Sequence, residues 1–413
     1  MSKLRGKLSK SFLEKKMYQA NIWKLYLFQF FMSLHFMGGV LVPFYLDWGG
    51  ISFTQIMILQ SVFVFSIFLL EIPTGAVADF FGRKTSIVLG ALITAISAFV
   101  YTSYPSFYVF LVGEFMWALG FALLSGAHEA LVYDSLKKIK KENTSKKIFG
   151  KMQSLSLIGL MISAPIGSII AVKFGLRYAF MAIGIPMFIS FIIALTIKEP
   201  IVKKINSNKK NNQKRPSYLK TITEGINYFR KHRILKILAF DMISVSTLAF
   251  FVIWTYQPLL TTLGIHLIYF GIVHSAITGI QIPVLNGFDK LEKLVRSKKR
   301  YLFLSALITG IGMIIMGVSK YVPLTIFAIL LVSAFGLSRQ TLFNNYLNKY
   351  IESHNRATVL SSISMMSKLS RAIAYPIIGL LVEQSLTMTL VILGFALIIV
   401  SLISKVEEEH LID

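Results

Sequence analysis

Glu71-Ile-Pro-Thr-Gly-Ala-Val-Ala-Asp79 and Gln281-Ile-Pro-Val-Leu-Asn-Gly-Phe-Asp289 lie about 210 residues apart and read as two copies of one pattern. Ile72-Pro73 falls on Ile282-Pro283, and Asp79 on Asp289. The same offset pairs Gly126 with Gly336, Tyr133 with Phe343 and Asp134 with Asn344; one residue more pairs Pro165 with Pro376. One aligned proline is a coincidence, whereas several pairs in order at a near-constant spacing mark a duplicated chain.

What is duplicated is hydrophobic. The chain has 413 residues, 55% of them hydrophobic and only 15% charged, where soluble domains carry about a quarter charged residues. A hydrocarbon core about 30 Å thick takes about 20 apolar helical residues, and twelve such runs are present. They begin near Trp23, Thr54, Thr85, Ser106, Phe149 and Arg177, then near Leu235, His266, Tyr301, Pro323, Ala357 and Leu386. The expected fold is an all-α membrane protein of twelve transmembrane helices in two six-helix bundles. Six crossings are an even number, so both copies enter from one side as parallel repeats. The expected divisions are residues 1–197, a basic linker at 198–234, and residues 235–413. The first run, Ile22 to Leu46, is too long for a signal-peptide core and is expected to remain as a helix.

The formal charge of +24 invites a nucleic-acid reading, and the placement of the 43 Lys and Arg excludes it. With the amino terminus inside, the outer loops hold only Lys173, Arg177 and Lys320, and Arg339, Lys368 and Arg371 fall within helices or at their ends. The remainder lie in inner segments, a positive-inside pattern that places both termini in the cytoplasm of a cell (inner) membrane, next to anionic inner-leaflet lipid. The linker opens with a Lys/Asn-rich stretch, and Tyr218 to Phe229 has helical apolar spacing suited to the inner membrane face or to a solvated linker. With no Cys there are no disulfides, thiolate metal sites or thiol nucleophiles.

Gly75, Asp79, Gly82, Arg83 and Lys84 fit Gly-x-x-x-Asp-x-x-Gly-Arg-[Arg/Lys], and this loop, the twelve runs and the 6+6 duplication with a basic linker resemble the major facilitator superfamily. The resemblance covers essentially the whole chain. It implies that the loop acts as a cytoplasmic latch with an acidic partner at the inner end of the fourth helix, for which Asp134 fits best and Glu129 next. Asp79 is suited to meet a helix amino terminus. Departures are clear. Many members carry an Arg in the fourth helix, but Leu111-Val-Gly-Glu-Phe-Met-Trp-Ala-Leu-Gly120 offers Glu114. The fifth helix keeps Gly159, Pro165 and Gly167 of an antiporter pattern without its spacing, and the second latch, Asp289 to Arg300, lacks Gly-Arg-Lys.

Ionisable groups in hydrocarbon are costly and mark function or pairing. Counting 1.5 Å per residue puts His35 about 18 Å along the first helix, in a layer with Glu114, Lys368 and Arg371; Glu71 and Asp241 lie nearer the cytoplasm. The resemblance implies that helices one, four, seven and ten line a cavity where Glu114, His35 and Asp241 converge, and that Glu71 meets Lys368 as a gating or structural pair. Glu114 and Asp241 are candidates for proton coupling, with His35 as a relay. The plainer readings are a Glu114–Arg371 ion pair, a hydrated Asp241 and a packed His35. Trp117 and Trp254 either stack on substrate or simply pack, and an unpaired Arg371 would suit an anionic substrate.

The leading expectation is a secondary active transporter exporting a small amphipathic molecule against entering protons; the alternative is proton-coupled uptake of a small anionic metabolite. The expected partners are a small-molecule substrate, protons and lipid, with no nucleic acid, and the chain is expected to be a monomer. A sensor or enzyme on the same scaffold is the third possibility. No Walker loop, His-Glu-x-x-His or sizeable soluble domain supports an enzyme, and no cofactor is expected. His128, Glu129 and Asp134 sit where the latch partner is expected, which argues against a metal.

Overall fold

The computed structural model describes residues 2–200, 227–229, 231–352 and 356–411. Among them every regular element is helical. This follows from the composition, since in lipid each backbone N–H and C=O must be satisfied within its own segment. Eleven helices of the described residues are long and apolar enough to span a membrane, from Phe53–Phe81 to Leu386–Ile403. Ahead of them the first helix, Ser2–Met32, ends early. Most of the expected surface helix over Tyr218–Phe229 lies outside the described residues; its last residue, Phe229, is buried in the core of the second unit.

The chain forms two compact units, Met1–Phe44 with Val62–Asn212, and Tyr45–Ser61 with Gln213–Asp413. The start of the second helix thus belongs with the second unit. There the backbone N–H of Thr54 donates to Glu383 Oε1 at 2.7 Å, and Ser61 Oγ donates to the Ala372 carbonyl at 2.8 Å.

In the first unit, aromatic rings fill the core: Phe44 stacks on Phe180 at 4.4 Å, and Tyr101 meets Phe180, Phe110 and Trp117. The second unit holds two apolar clusters, one around Phe343 and Leu347 and one around Tyr256 and Met313. The eleventh helix, Arg356–Gln384, presents Ile373, Ile377 and Leu380 outward, the one-sided apolar stripe expected of a surface against lipid.

The first and fourth helices of the first unit are interrupted. The expected continuous run Ile22–Leu46 breaks between Ser33 and Val40 and resumes only at Leu41–Pro43 and a π turn, Phe44–Trp48. The depth counted for His35 is therefore corrected: it lies in the break, its Nε2 against the Met32 carbonyl at 3.0 Å. The fourth helix runs Phe107–Leu124, turns at Ser125-Gly126 and continues as Ala127–Lys138. In the second unit its repeat partner breaks at the matched place, with a π turn over Ser333–Leu337 around Gly336.

Candidate functional site

The two interruptions of the first unit face one cavity of about 460 Å³. The first helix and its break supply Phe28, Gln29, Met32, Ser33 and His35; the fourth helix supplies Phe121, Leu124, Ser125, Gly126, His128 and Glu129; Ser156 and Leu160 come from the fifth helix, Ser145–Phe174. Ser33 Oγ and Ser156 Oγ are 2.6 Å apart, and Gln29 Nε2 donates to Ser156 Oγ at 3.3 Å, so this wall is hydrogen-bonded in advance. His128 Nε2 is buried with no hydrogen-bond partner among the described residues, and its ring lies 5.4 Å from that of Phe28. An orphaned imidazole nitrogen on a cavity wall is available to a ligand or to a proton.

Of the expected residues, His35 lines this cavity and lies 5.9 Å edge-on to Trp117. Trp117 also touches Tyr101 and Phe180 and is 5% exposed, so it belongs to the aromatic core. Glu114 is buried one helical turn from Trp117. Glu71, Asp79 and Lys368 are exposed.

Between the second and third helices of the same unit, Gly82 has φ +98°, a conformation that glycine adopts without a Cβ penalty. Arg83 forms an ion pair with Asp134 and donates to the Ala130 carbonyl at 2.8 Å. Glu129 lies on the cavity wall instead. The third helix, Arg83–Tyr101, is capped by Glu199, whose carboxylate accepts the Arg83 amide at 3.0 Å and the Lys84 amide at 2.6 Å. With no side chain on Gly82, the carboxylate can come close; a Cβ there would meet it at 3.3 Å.

The second unit repeats this device without repeating the motif. Glu408 accepts from Ser297 Oγ at 2.6 Å and from the Lys298 and Lys299 amides at 2.8 and 2.9 Å, at the start of the ninth helix, Lys298–Val318. Burial pushes the Glu408 carboxyl up, but these hydrogen bonds outweigh it and hold the group below its usual range. A depressed folded value means that the stabilisation is present above the ordinary carboxylate pKa and fades as the pH falls through the folded one. Glu408→Gln is expected to cost at most about 1 kcal/mol near neutrality, discounted because the group is exposed. Unfolding in detergent should show this deficit at neutral pH and lose it near pH 3; a deficit unchanged across that range would mean the carboxylate charge is not the cap.

Asp241 is neither near the surface nor hydrated. It is 3% exposed on the seventh helix, Arg233–Thr262, and forms a buried ion pair with Arg339; Ser404 Oγ donates to its other oxygen at 2.6 Å. Arg339 also donates to the Leu302 carbonyl at 2.8 Å and to Ser305 Oγ at 2.7 Å. Farther along the seventh helix, Trp254 is 5% exposed and lies edge-on to Tyr375 at 6.3 Å. Arg371 sits 4.8 Å over the ring of Phe250 and, among the described residues of its own unit, has no carboxylate partner.

Sequence reasoning misses Glu199, Arg339 and the Gln29/Ser33/Ser156 group, and weighs His128 only as a metal ligand. Glu199 carries a signal, since it precedes Glu408 by nearly the repeat offset and both follow the last helix of their halves.

A family model described as Major Facilitator Superfamily matches residues 25–375. An uncharacterized MFS-type transporter of Bacillus subtilis (strain 168), YxaM, is 24% identical over 80% of this chain and 81% of its own length. Among solved structures, a mutant form of the nucleoside transporter NupG superposes with TM-score 0.75 at 13% identity, covering 93% of this chain and 98% of that one. A D-xylose-proton symporter gives 0.65 at 16% identity, covering 95% and 98%.

Proposed function

Because the chain belongs to the major facilitator superfamily, and is a multi-pass membrane transporter rather than an enzyme, we propose that it carries a small molecule coupled to protons by alternating access, in the cell (inner) membrane with both termini cytoplasmic. The observation that carries this reading is the first-unit cavity. Two broken helices bring His35, His128 and Glu129 to one hydrogen-bonded wall, with Glu114 buried one turn from the tryptophan that His35 touches. Titratable side chains on a cavity wall are suited to take and release a proton as access alternates. The Gly75–Lys84 loop, with Arg83 on Asp134, serves as the inner latch.

Two directions of transport follow. Export of an amphipathic molecule against protons rests on the partial likeness of the fifth helix to antiporters. Inward symport of an anion is favoured by Arg371, a fixed cation with no carboxylate partner among the described residues of its unit. Proteoliposomes enclosing a pH-sensitive dye separate them. Under symport, external p-aminohippurate, a monoanion, should acidify the lumen; under exchange, external ethidium should alkalinise it; no proton movement with either would count against the coupling. Glu114→Gln is expected to slow the active response at least about tenfold, as loss of a proton-transferring group does. A response of undiminished rate would remove Glu114 as the proton site and move attention to Glu129 and His128.

A further inference from the structure

We infer that the second unit contains an anion subsite, built from one face of the seventh helix and Arg371, which takes the carboxylate of an organic acid with a flat apolar body. Among the described residues, three of the buried side-chain polar atoms left without a hydrogen-bond partner fall within nine positions of one helix: Ser246 Oγ, Thr247 Oγ1 and Trp254 Nε1. Positions 247, 250, 251 and 254 follow the spacing of a single helical face, so Thr247 and Trp254 flank the pair Phe250 and Phe251. Buried polar atoms are almost always satisfied, and a concentration of exceptions marks a place where another group binds.

The chemistry of these atoms selects the ligand. An indole N–H can only donate, hydroxyls can donate, and a guanidinium donates five times and never accepts. Their complement is a group made of acceptors. Arg371 provides the charge. Its Nε reaches the Ser367 carbonyl only at 3.4 Å, and its guanidinium carbon lies 4.8 Å from the centre of the Phe250 ring. A guanidinium held near a ring by cation–π attraction still has N–H groups to offer a carboxylate in two parallel bonds. One fixed cation balances one negative charge; a dianion such as phosphate would leave charge over in an apolar setting, which is costly.

The aromatic side chains define the body of the ligand. Tyr375, one turn from Arg371 on the eleventh helix, gathers Phe250, Phe251 and Trp254 at ring distances of 6.4, 5.7 and 6.3 Å. These rings present faces and edges beside the donors, as a planar apolar group requires. The seventh and eleventh helices supply all of these side chains, so the subsite is complete within one unit.

This inference deepens the transport reading by naming the substrate class, but its binding claim is tested without transport. Thermal unfolding of the full-length protein in detergent would be followed with matched triples: benzoate, benzamide and benzylamine; indole-3-acetate, its amide and tryptamine; and benzenesulfonate and phenylphosphonate as other anions. The carboxylates should stabilise the protein at concentrations at least tenfold below those needed for their amides and amines. Arg371→Gln should abolish that preference, Arg371→Lys should retain part of it, and Trp254→Phe should weaken it a few-fold, each variant keeping its ligand-free midpoint within a few degrees of the parent. Equal responses to acid and amide, a preference that survives Arg371→Gln, or stronger stabilisation by the phosphonate would each overturn the assignment. If the carboxylates bind yet move no protons in proteoliposomes, the transport reading fails and the subsite stands. Proton flux without selective carboxylate binding removes the subsite and leaves the transport reading in place.

Discussion

Replacing Arg339 by Ala is expected to destabilise the protein by about 3–5 kcal/mol, more than the loss of an exposed polar side chain such as Glu408. Arg339 is 3% exposed and donates to Asp241, to the Leu302 carbonyl and to Ser305 Oγ. Its removal leaves the Asp241 carboxylate buried with only the Ser404 hydroxyl to meet it among these partners. The size of the loss comes from that uncompensated charge rather than from the strength of the pair, because two charges taken from water recover in mutual attraction little more than they lose. A double variant separates the two contributions. Asp241→Leu with Arg339→Met removes both charges and should cost far less than Arg339→Ala, which equilibrium unfolding in detergent would show as a strongly favourable coupling in the cycle. If Arg339→Ala costs under about 1 kcal/mol, Asp241 is reached by water and its burial is transient.

The pair also bears on how the second unit is held together. Asp241 lies on the seventh helix, Leu302 and Ser305 on the ninth, Arg339 on the tenth, Val322–Lys349, and Ser404 just after the twelfth, Leu386–Ile403, so one buried network joins four parts of that unit. The first unit ties its first and fourth helices and the segment after the sixth with neutral groups at other positions: Asn21 donates to Ser135 Oγ at 3.0 Å and to the Lys198 carbonyl at 2.8 Å. A charged network in one copy and an amide in the other is a division that duplication permits once each half evolves separately. Arg339 is committed to this network, whereas Arg371 has no carboxylate partner among the described residues of its unit.

The repeat, the apolar runs and the charged turn are enough to read the helical membrane architecture and its family resemblance, because bilayer thickness and backbone satisfaction leave a chain so few options. The Arg83–Asp134 contact is legible because the motif demands an acid and the fourth helix ends on one. Asp241 can be placed but its partner cannot, since the two are 98 positions apart and helical depth alone does not show which faces meet. Ser246 and Thr247 look like ordinary packing residues in an apolar run, and Trp254 is legible as a stacking or packing residue; only three dimensions show all three without partners. The break after Met32 leaves the weakest trace. Ile22 to Leu46 has no proline before Pro43, so nothing local demands an interruption beyond Gly38-Gly39.

The broken segment packs closely against the fifth helix, which makes Gly167→Ala the second substitution expected to have a large effect. A Cβ on Gly167 would overlap the carbonyl oxygen of Phe36, in the middle of the broken segment, and the carbonyl carbon behind it. Nearby, a Cβ on Gly159 would lie 3.1 Å from the Phe30 carbonyl oxygen and from Ser33 Cβ. The obstacle at Gly167 is backbone, which has no rotamer to move to, so the added methyl must displace the segment that carries His35 into the cavity. Overpacking of this kind costs about 1–3 kcal/mol and more where the neighbour cannot yield, so a loss of at least about 3 kcal/mol is expected. Gly150 in the same helix is the internal control. A Cβ there meets nothing within 4 Å, and Gly150→Ala should be neutral or stabilising by up to about 1 kcal/mol through helix propensity. Unfolding midpoints of the two variants in detergent decide the matter. Loss in Gly167→Ala with none in Gly150→Ala assigns the break to tertiary contact; equal, small changes in both would mean that the segment from Ser33 to Val40 yields freely and that the cavity wall it forms is not fixed by the fifth helix.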